Sequence, residues 1–282
     1  MTVSRPISKK VNFSEMSERL SAAFRRARDE GRAALVPFVT VGYPSVEATL
    51  KIVPELEAAG ADVIELGVPF SDPLAEGPTI QKSSQHALEQ GVSSGTAMAV
   101  ARDLRNAGVK APMVFMGYYN PILSYGTERY CKDAAEAGID GLIVPDLPAE
   151  ENAELRGLTE KYGLSLIPLV ALTSPTRRVE EACADASGFI YCVGVLGVTG
   201  VAETAFDRVH GLVDEVRQHT SLPVGVGFGI RTPDDVRKVS GFADAAIVGS
   251  ALVDVIGAGP EETSAERAGA FIRELAEGTR AG

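Results

Sequence analysis

One unit of sequence recurs along this chain and narrows its fold more than any other feature. The stretches "AAGADVIELGVP" (58–69), "AAEAGIDGLIVPDLP" (134–148) and "SGFADAAIVGS" (240–250) each end a helical pattern, turn within a few residues, and enter a compact apolar strand. "ADASGFIYCVG" (184–194) is a looser copy. Glycine suits the left-handed turn that closes a helix. Strands apolar on both faces fit a parallel sheet covered by helices. Four more runs complete the set, "AALVPFVTVG" (33–42), "PMVFMGYYN" (112–120), "LSLIPLVAL" (164–172) and "LPVGVGFGI" (222–230), so eight strands are expected.

Helical patterns alternate with these strands. In "TPDDVRKVSGF", Thr232 is placed to N-cap, Pro233 takes the first helical position, and Asp234 and Asp235 suit the helix dipole. Ahead of the first strand, Met16, Leu20, Phe24 and Ala27 recur at helical spacing and read as core contacts on a barrel floor. Eight βα units within 282 residues, with no linker or low-complexity segment, give a (β/α)₈ TIM barrel with an extra N-terminal helix. The barrel is expected to span 1–282 as a single domain, with 1–13 a flexible extension. A doubly wound sheet is the structural alternative.

Composition removes several functions. The net charge is −11, and no basic block is present to track a phosphate backbone. Cys131, Cys183 and Cys192 show no metal-ligand or CxxC spacing, which fits a reducing cytoplasm. No apolar run approaches membrane-spanning length.

In a barrel, the site lies where strands end and βα loops begin. No lysine stands at a strand end to form a Schiff base, and His86, His210 and His219 read as helical or post-helical. What remains there is acidic, aromatic and glycine-rich. Glu65 lies inside a buried strand, and it reads equally as a structural carboxylate or as a proton-transferring group whose pKa burial would raise. Asp72 and Glu76 follow in a loop where solvated or capping roles compete with catalysis. Glycines group after strands six, seven and eight, as "GVTG", "GFGI" and "GS". Each alone is a tight turn; together, at adjacent strand ends, they suit a phosphate site.

The long stretch "ELGVPFSDPLAEGPTIQ" (65–81) resembles the signature of the tryptophan synthase α-subunit family. "PFVTVGYP", "MGYYNPI", "VPDLP", "GVTG", "GVGFGI" and "VGSALV" match in order from strand one to strand eight. The resemblance covers roughly Ser14 to the C-terminus. It implies a (β/α)₈ lyase that cleaves indole-3-glycerol phosphate by a retro-aldol reaction to indole and glyceraldehyde 3-phosphate. It also implies a β-subunit partner in an α₂β₂ complex, with pyridoxal phosphate only in that partner and no cofactor or metal in this chain.

By the same resemblance, Glu65 is the general acid/base and Glu76 the carboxylate that holds the indole N–H. Glutamate stands here where the family most often has aspartate. Phe38, Ile80, Met116, Tyr118, Ile143 and Tyr191 match the walls of the indole pocket. Gly200, Phe228, Gly229, Gly249 and Ser250 match the phosphate cradle, and Thr199 a support of the catalytic loop. "VGVL" (193–196) lacks the Ser/Thr or Arg often found before that threonine. Pro69, Asp72 and Asn120 match positions that face the β subunit. A barrel serving mainly to activate that subunit, and a stand-alone lyase releasing indole, are the alternative functions.

Overall fold

The computed structural model describes residues 17–73, 76–194 and 202–280. Its strands are β1 (Ala34–Thr40), β2 (Ile64–Gly67), β3 (Met113–Met116), β4 (Gly141–Ile143) and β5 (Ser165–Ile167). They continue with β6 (Leu169–Ala171), β7 (Ile190–Val193), β8 (Val224–Gly227) and β9 (Ala245–Val248). All pair in parallel in the order β5-β4-β3-β2-β1-β9-β8-β7-β6. The run 164–172, read from sequence as one strand, is therefore two segments. Pro168 separates them because it has no N–H to give a ladder. Since β5 and β6 stand at the two ends of the sheet order and adjoin in the chain, they are halves of one stave. Eight staves in nine segments thus close the barrel, and Tyr191 N donates to Pro168 O at 3.0 Å across the junction.

The helices are α1 (Glu18–Asp29), α2 (Val46–Ala58), α3 (Pro78–Glu89), α4 (Ser94–Asn106), α5 (Tyr119–Tyr125) and α6 (Thr127–Glu136). After them come α7 (Ala153–Tyr162), α8 (Thr176–Ala184), α9 (Ala202–His219), α10 (Pro233–Ser240), α11 (Ser250–Gly257) and α12 (Ser264–Ala276). Thr232 caps α10 in a reciprocal box with Asp235, as its sequence implies. Helix α1 seals the barrel floor. Leu20, Phe24 and Ala27 are buried, and Phe24 meets Phe189 with ring centroids 5.5 Å apart. Burying a side chain of that size is worth roughly 1.5–3 kcal/mol. Met16 lies outside the described residues. No helix among the described residues is long and apolar enough to cross a membrane.

The recurring sequence unit has a structural counterpart on this floor. Asp62, Asp140, Ser187 and Asp244 occupy equivalent places just before β2, β4, β7 and β9. Each donates its own N–H to a carbonyl of the preceding stave, at Leu35, Met113, Leu166 and Val224 respectively. Each side chain then accepts from the N–H of that same residue, at 3.0, 3.0, 2.7 and 3.0 Å. The three aspartates carry arginine partners: Arg26 and Arg32 for Asp62, Arg19 and Arg105 for Asp140, Arg217 for Asp244. The serine needs none because it is neutral. These clamps hold neighbouring staves in register at the end away from the mouth.

Two apolar layers result. Val36, Val63, Val114, Ile143, Ile167, Phe189 and Ile247 fill the barrel with the floor helix. Leu35, Ile64, Leu66, Leu142, Leu166 and Val170 face the surrounding helices. Glu65 alternates with Ile64 and Leu66, so its side chain points inward, beside Phe38 on β1 and Val114 on β3.

Candidate active site

The mouth of the barrel holds a cavity of about 850 Å³, within the usual range for small-molecule sites. Glu65 enters it from β2 and Glu76 from the loop before α3. Glu65 is fully buried, and neither of its carboxyl oxygens has a hydrogen-bond partner; Glu76 Oε2 is likewise buried and unpartnered. Burial first, and the charge of Glu76 second, push the Glu65 carboxyl up to about 8. Burial pushes Glu76 up to about 7. A structural carboxylate would be satisfied by nearby donors. These two are placed to exchange protons near neutrality.

The Glu76 loop is tied down from the helix that follows it. Gln81 Nε2 donates to Glu76 O at 2.9 Å and to Pro73 O at 3.4 Å. Thr40 and Ser83 hydroxyls pair at 2.6 Å, and Ser83 Oγ donates to Ile80 O at 2.9 Å. The first turn of α3 is thereby fastened to the end of β1, with Gly77 and Ile80 on the cavity wall.

Phe38, Met116 and Tyr191 supply further wall, with Leu169 and Ile247. Gly67 admits the Phe38 ring, since a Cβ there would lie 2.4 Å from it. Gly227 admits Tyr191 in the same way, with 2.5 Å to the phenolic oxygen. Burial, then the carboxylates of Glu65 and Glu76, hold that phenol well above its ordinary pKa, so it stays protonated.

Phe228, Gly229, Gly249 and Ser250 line the same cavity, bringing the ends of β8 and β9 together, and Gly249 lies beside Ile80. Gly229 sits at φ +54°, a left-handed conformation that glycine adopts freely. Gly249 precedes α11 and offers no side-chain cap, so the first N–H groups of that helix are left for an anion.

Other expected residues fall elsewhere. Ile143 is buried in the barrel interior without reaching the cavity wall. Tyr118 also does not line it; its ring stacks on Phe70 with centroids 5.0 Å apart. Ile143 ends β4, whereas Tyr118 lies two residues beyond β3 and directly precedes α5. Pro69 is buried, whereas Asp72 and Asn120 are exposed. Thr199, Gly200 and the second half of the "VGVL" stretch lie outside the described residues. Sequence reading missed Ile247, Pro168 and Asn152 as wall residues. Inward alternation along "AAIVGS" signals Ile247, while the other two depend on how the fourth and fifth staves part.

No group of His, Cys, Asp or Glu among the described residues is arranged to hold a metal. Fold and site together define a (β/α)₈-barrel enzyme whose mouth brings two buried carboxyls together with glycines at the ends of β8 and β9. Residues 24–280 match the family model described as "Tryptophan synthase alpha chain". The chain is 49% identical over 261 residues to the tryptophan synthase alpha chain of Chloroflexus aggregans, covering 93% of this chain and 98% of the relative. That of Geobacter sp. (strain M21) is 47% identical, with 94% and 98% covered. Among solved structures, tryptophan synthase from M. tuberculosis in its open form superposes with a TM-score of 0.85 at 36% identity, covering 94% of this chain and 99% of that one. The alpha subunit from Legionella pneumophila str. Paris gives 0.85 at 32%, with 94% and 98% covered. The chain belongs to the tryptophan synthase alpha chain family.

Proposed function

We propose that this barrel is the carbon–carbon lyase of a tryptophan synthase, cleaving indole-3-glycerol phosphate to indole and glyceraldehyde 3-phosphate. The observation that carries this reading is the Glu65–Glu76 pair, with three buried oxygens lacking partners in a cavity that Gly229 and Gly249 also line. The phosphate rests on N–H groups around Gly229, Gly249 and Ser250. The indole lies among Phe38, Ile80, Met116 and Tyr191, with its N–H toward Glu76.

Glu65 enters the reaction protonated, as its raised pKa favours. It gives its proton to indole C3, and Glu76 stabilises the positive charge that develops on the ring nitrogen. Glu65, now a carboxylate, takes the proton of the side-chain hydroxyl. The carbon–carbon bond breaks, its electron pair returns to the ring, and an aldehyde leaves. Proton count is restored at the end, so no cofactor is needed in this chain.

Activity in the cytoplasm within an α₂β₂ complex, with pyridoxal phosphate confined to the β subunit, completes the proposal. Asp72 and Asn120 are the exposed residues expected at that contact, with Pro69 stiffening the loop behind Asp72. Cleavage rates measured with and without a β subunit test the assignment. Cleavage by the barrel that rises on adding the partner supports it. No cleavage in either state, with the partner still activated, points to a purely activating barrel. Full cleavage unaffected by the partner points to a stand-alone lyase.

A further inference from the structure

Among the described residues, four buried side-chain atoms lack any hydrogen-bond partner: both Glu65 oxygens, Glu76 Oε2 and Asn152 Oδ1. All three residues line the same cavity. The first two belong to the reaction proposed above. Asn152 does not.

Asn152 sits at the cap position of α7, where asparagine ordinarily accepts from an N–H of the first helical turn. That geometry needs an extended backbone, but here a short 3₁₀ turn (Ala149–Glu151) runs straight into the helix. Asn152 is held at φ −87°, ψ −1°, and makes no side-chain cap. With 8% exposure, it has no solvent to turn to. A buried carbonyl oxygen kept unpaired costs roughly 1–3 kcal/mol.

The cavity reaches Asn152 through a parting between staves. β4 stops at Ile143 and is followed by Pro145; Pro168 interrupts the neighbouring stave, and the β6 half pairs only with β7. Beyond this slot the lining changes layer. Ile167 and Tyr191 belong to the barrel interior, whereas Val144, Leu166 and Ala182 belong to the layer between sheet and helices. The outer part is therefore a side chamber with mainly apolar walls and one buried, unpartnered acceptor, edged by Asp146, Ser174 and Asp185. Its rim carries the Glu150–Arg178 ion pair, which is largely exposed.

We infer that the side chamber beside Asn152 is a second small-molecule site, taking a neutral, mainly apolar molecule with one N–H or O–H donor that pairs with Asn152 Oδ1. Around the chamber Arg178 pairs with Glu150 and Asp185 with Arg156, while Asp146 accepts from Tyr119 N, so these charged groups already hold partners and a net charge on the ligand gains little there. This class follows from the chamber alone and does not depend on the reaction assigned above.

Indole and 1-methylindole are the probes, since they differ in the donor while sharing the ring. The chain has no tryptophan, so indole fluorescence reports binding without background. Nuclear Overhauser contacts from each probe to Leu166 and Ala182 methyl groups locate it, and those to Phe38 mark the mouth separately. Indole is expected in both places at saturation, with 1-methylindole roughly fivefold or more weaker in the side chamber. Asn152→Leu, close in size and free of the orphaned oxygen, should fold and should lose the indole preference of the chamber while the Phe38 contacts persist. Contacts confined to Phe38 would overturn the inference, as would equal binding of both probes beside Leu166. Loss of activity in Glu65 variants bears on the proposed reaction and leaves this result untouched.

Discussion

Glu65 and Glu76 face one cavity from two different elements, and the charge of Glu76 raises the proton affinity of Glu65. The two carboxyls consequently titrate as a pair. Near neutral pH the pair keeps at least one proton, held chiefly by Glu65, whose burial is complete. This is the state that a reaction beginning with proton donation requires.

Replacing Glu65 with Gln removes the exchangeable proton while nearly preserving shape. Single-turnover cleavage should fall by roughly 100-fold or more. Stability should move the other way. A carboxyl raised from 4.5 to about 8 binds its proton more tightly folded than unfolded, so the folded protein loses stability as pH rises from near 4.5 through about 8. Urea denaturation at pH 5 and pH 8.5 checks the sign. The parent should lose more stability between those values than Glu65→Gln does, by an amount on the order of a few kcal/mol. Equal losses would mean that Glu65 is solvated.

Glu76 tests charge against reach. Glu76→Ala should nearly abolish cleavage, because an oriented charge in a closed site is worth several kcal/mol, on the order of 3. Glu76→Asp keeps the charge and shortens the arm by one methylene, on a loop that Gln81 fixes through two carbonyls. It should retain measurable activity. Gln81→Leu, which frees the loop, should lower kcat and shift the pH profile toward acid, as Glu76 gains solvent and its pKa falls. If Ala matches the parent in single-turnover rates, Glu76 is only a loop residue.

Two glycines that line the same cavity should respond differently to one methyl group. At Gly227, a Cβ would lie 2.5 Å from the Tyr191 hydroxyl, so the ring must shift to admit it. At Gly249 the nearest atom is Ile80 Cδ1 at 3.6 Å, an ordinary contact. Gly227→Ala should therefore displace Tyr191 and raise KM for the substrate tenfold or so by steric misplacement, whereas Gly249→Ala should bind nearly as well as the parent. Gly249→Val extends further toward the anion and should raise KM. Steady-state kinetics with inorganic phosphate as competitor distinguish the two walls.

How much of this was legible beforehand depended on the range of the interaction. Thr232, Pro233 and Asp235 determine a helix start within four residues, and sequence shows it directly. Glu65 was visible because one charged residue interrupts an apolar strand, but its satisfied or orphaned state depends on β1, β3 and the Glu76 loop. The split at Pro168 follows from a single missing N–H, although the hydrophobic run across it reads as continuous. Tyr118 and Ile143 match wall positions in the family, yet their side chains settle on Phe70 and in the barrel interior. Asn152 could not be singled out, since its orphaned oxygen arises from a cap geometry that the preceding turn denies.

The floor clamps provide the last prediction, because chemistry and stability separate to opposite ends of this barrel. Asp140 accepts from Met113 N and from Ser17 Oγ while pairing with Arg19 and Arg105. Burial raises its pKa in spite of those guanidiniums, and burial lowers that of Arg105. The network is thus already costly, and breaking it leaves Arg105 partly buried without its charge partner. Asp140→Asn preserves an acceptor for Met113 N, so the loss isolates the charge and should amount to about 3 kcal/mol. Ser187→Ala removes the neutral hydrogen bond from Leu166 N, with the long one back to Leu166 O, in the equivalent clamp and should cost about 1 kcal/mol. Urea midpoints at unchanged slope measure both, and kcat per folded molecule should stay at the parental value in each. Equal destabilisation by the two substitutions would show that the backbone bonds alone hold the staves, with the arginines adding nothing.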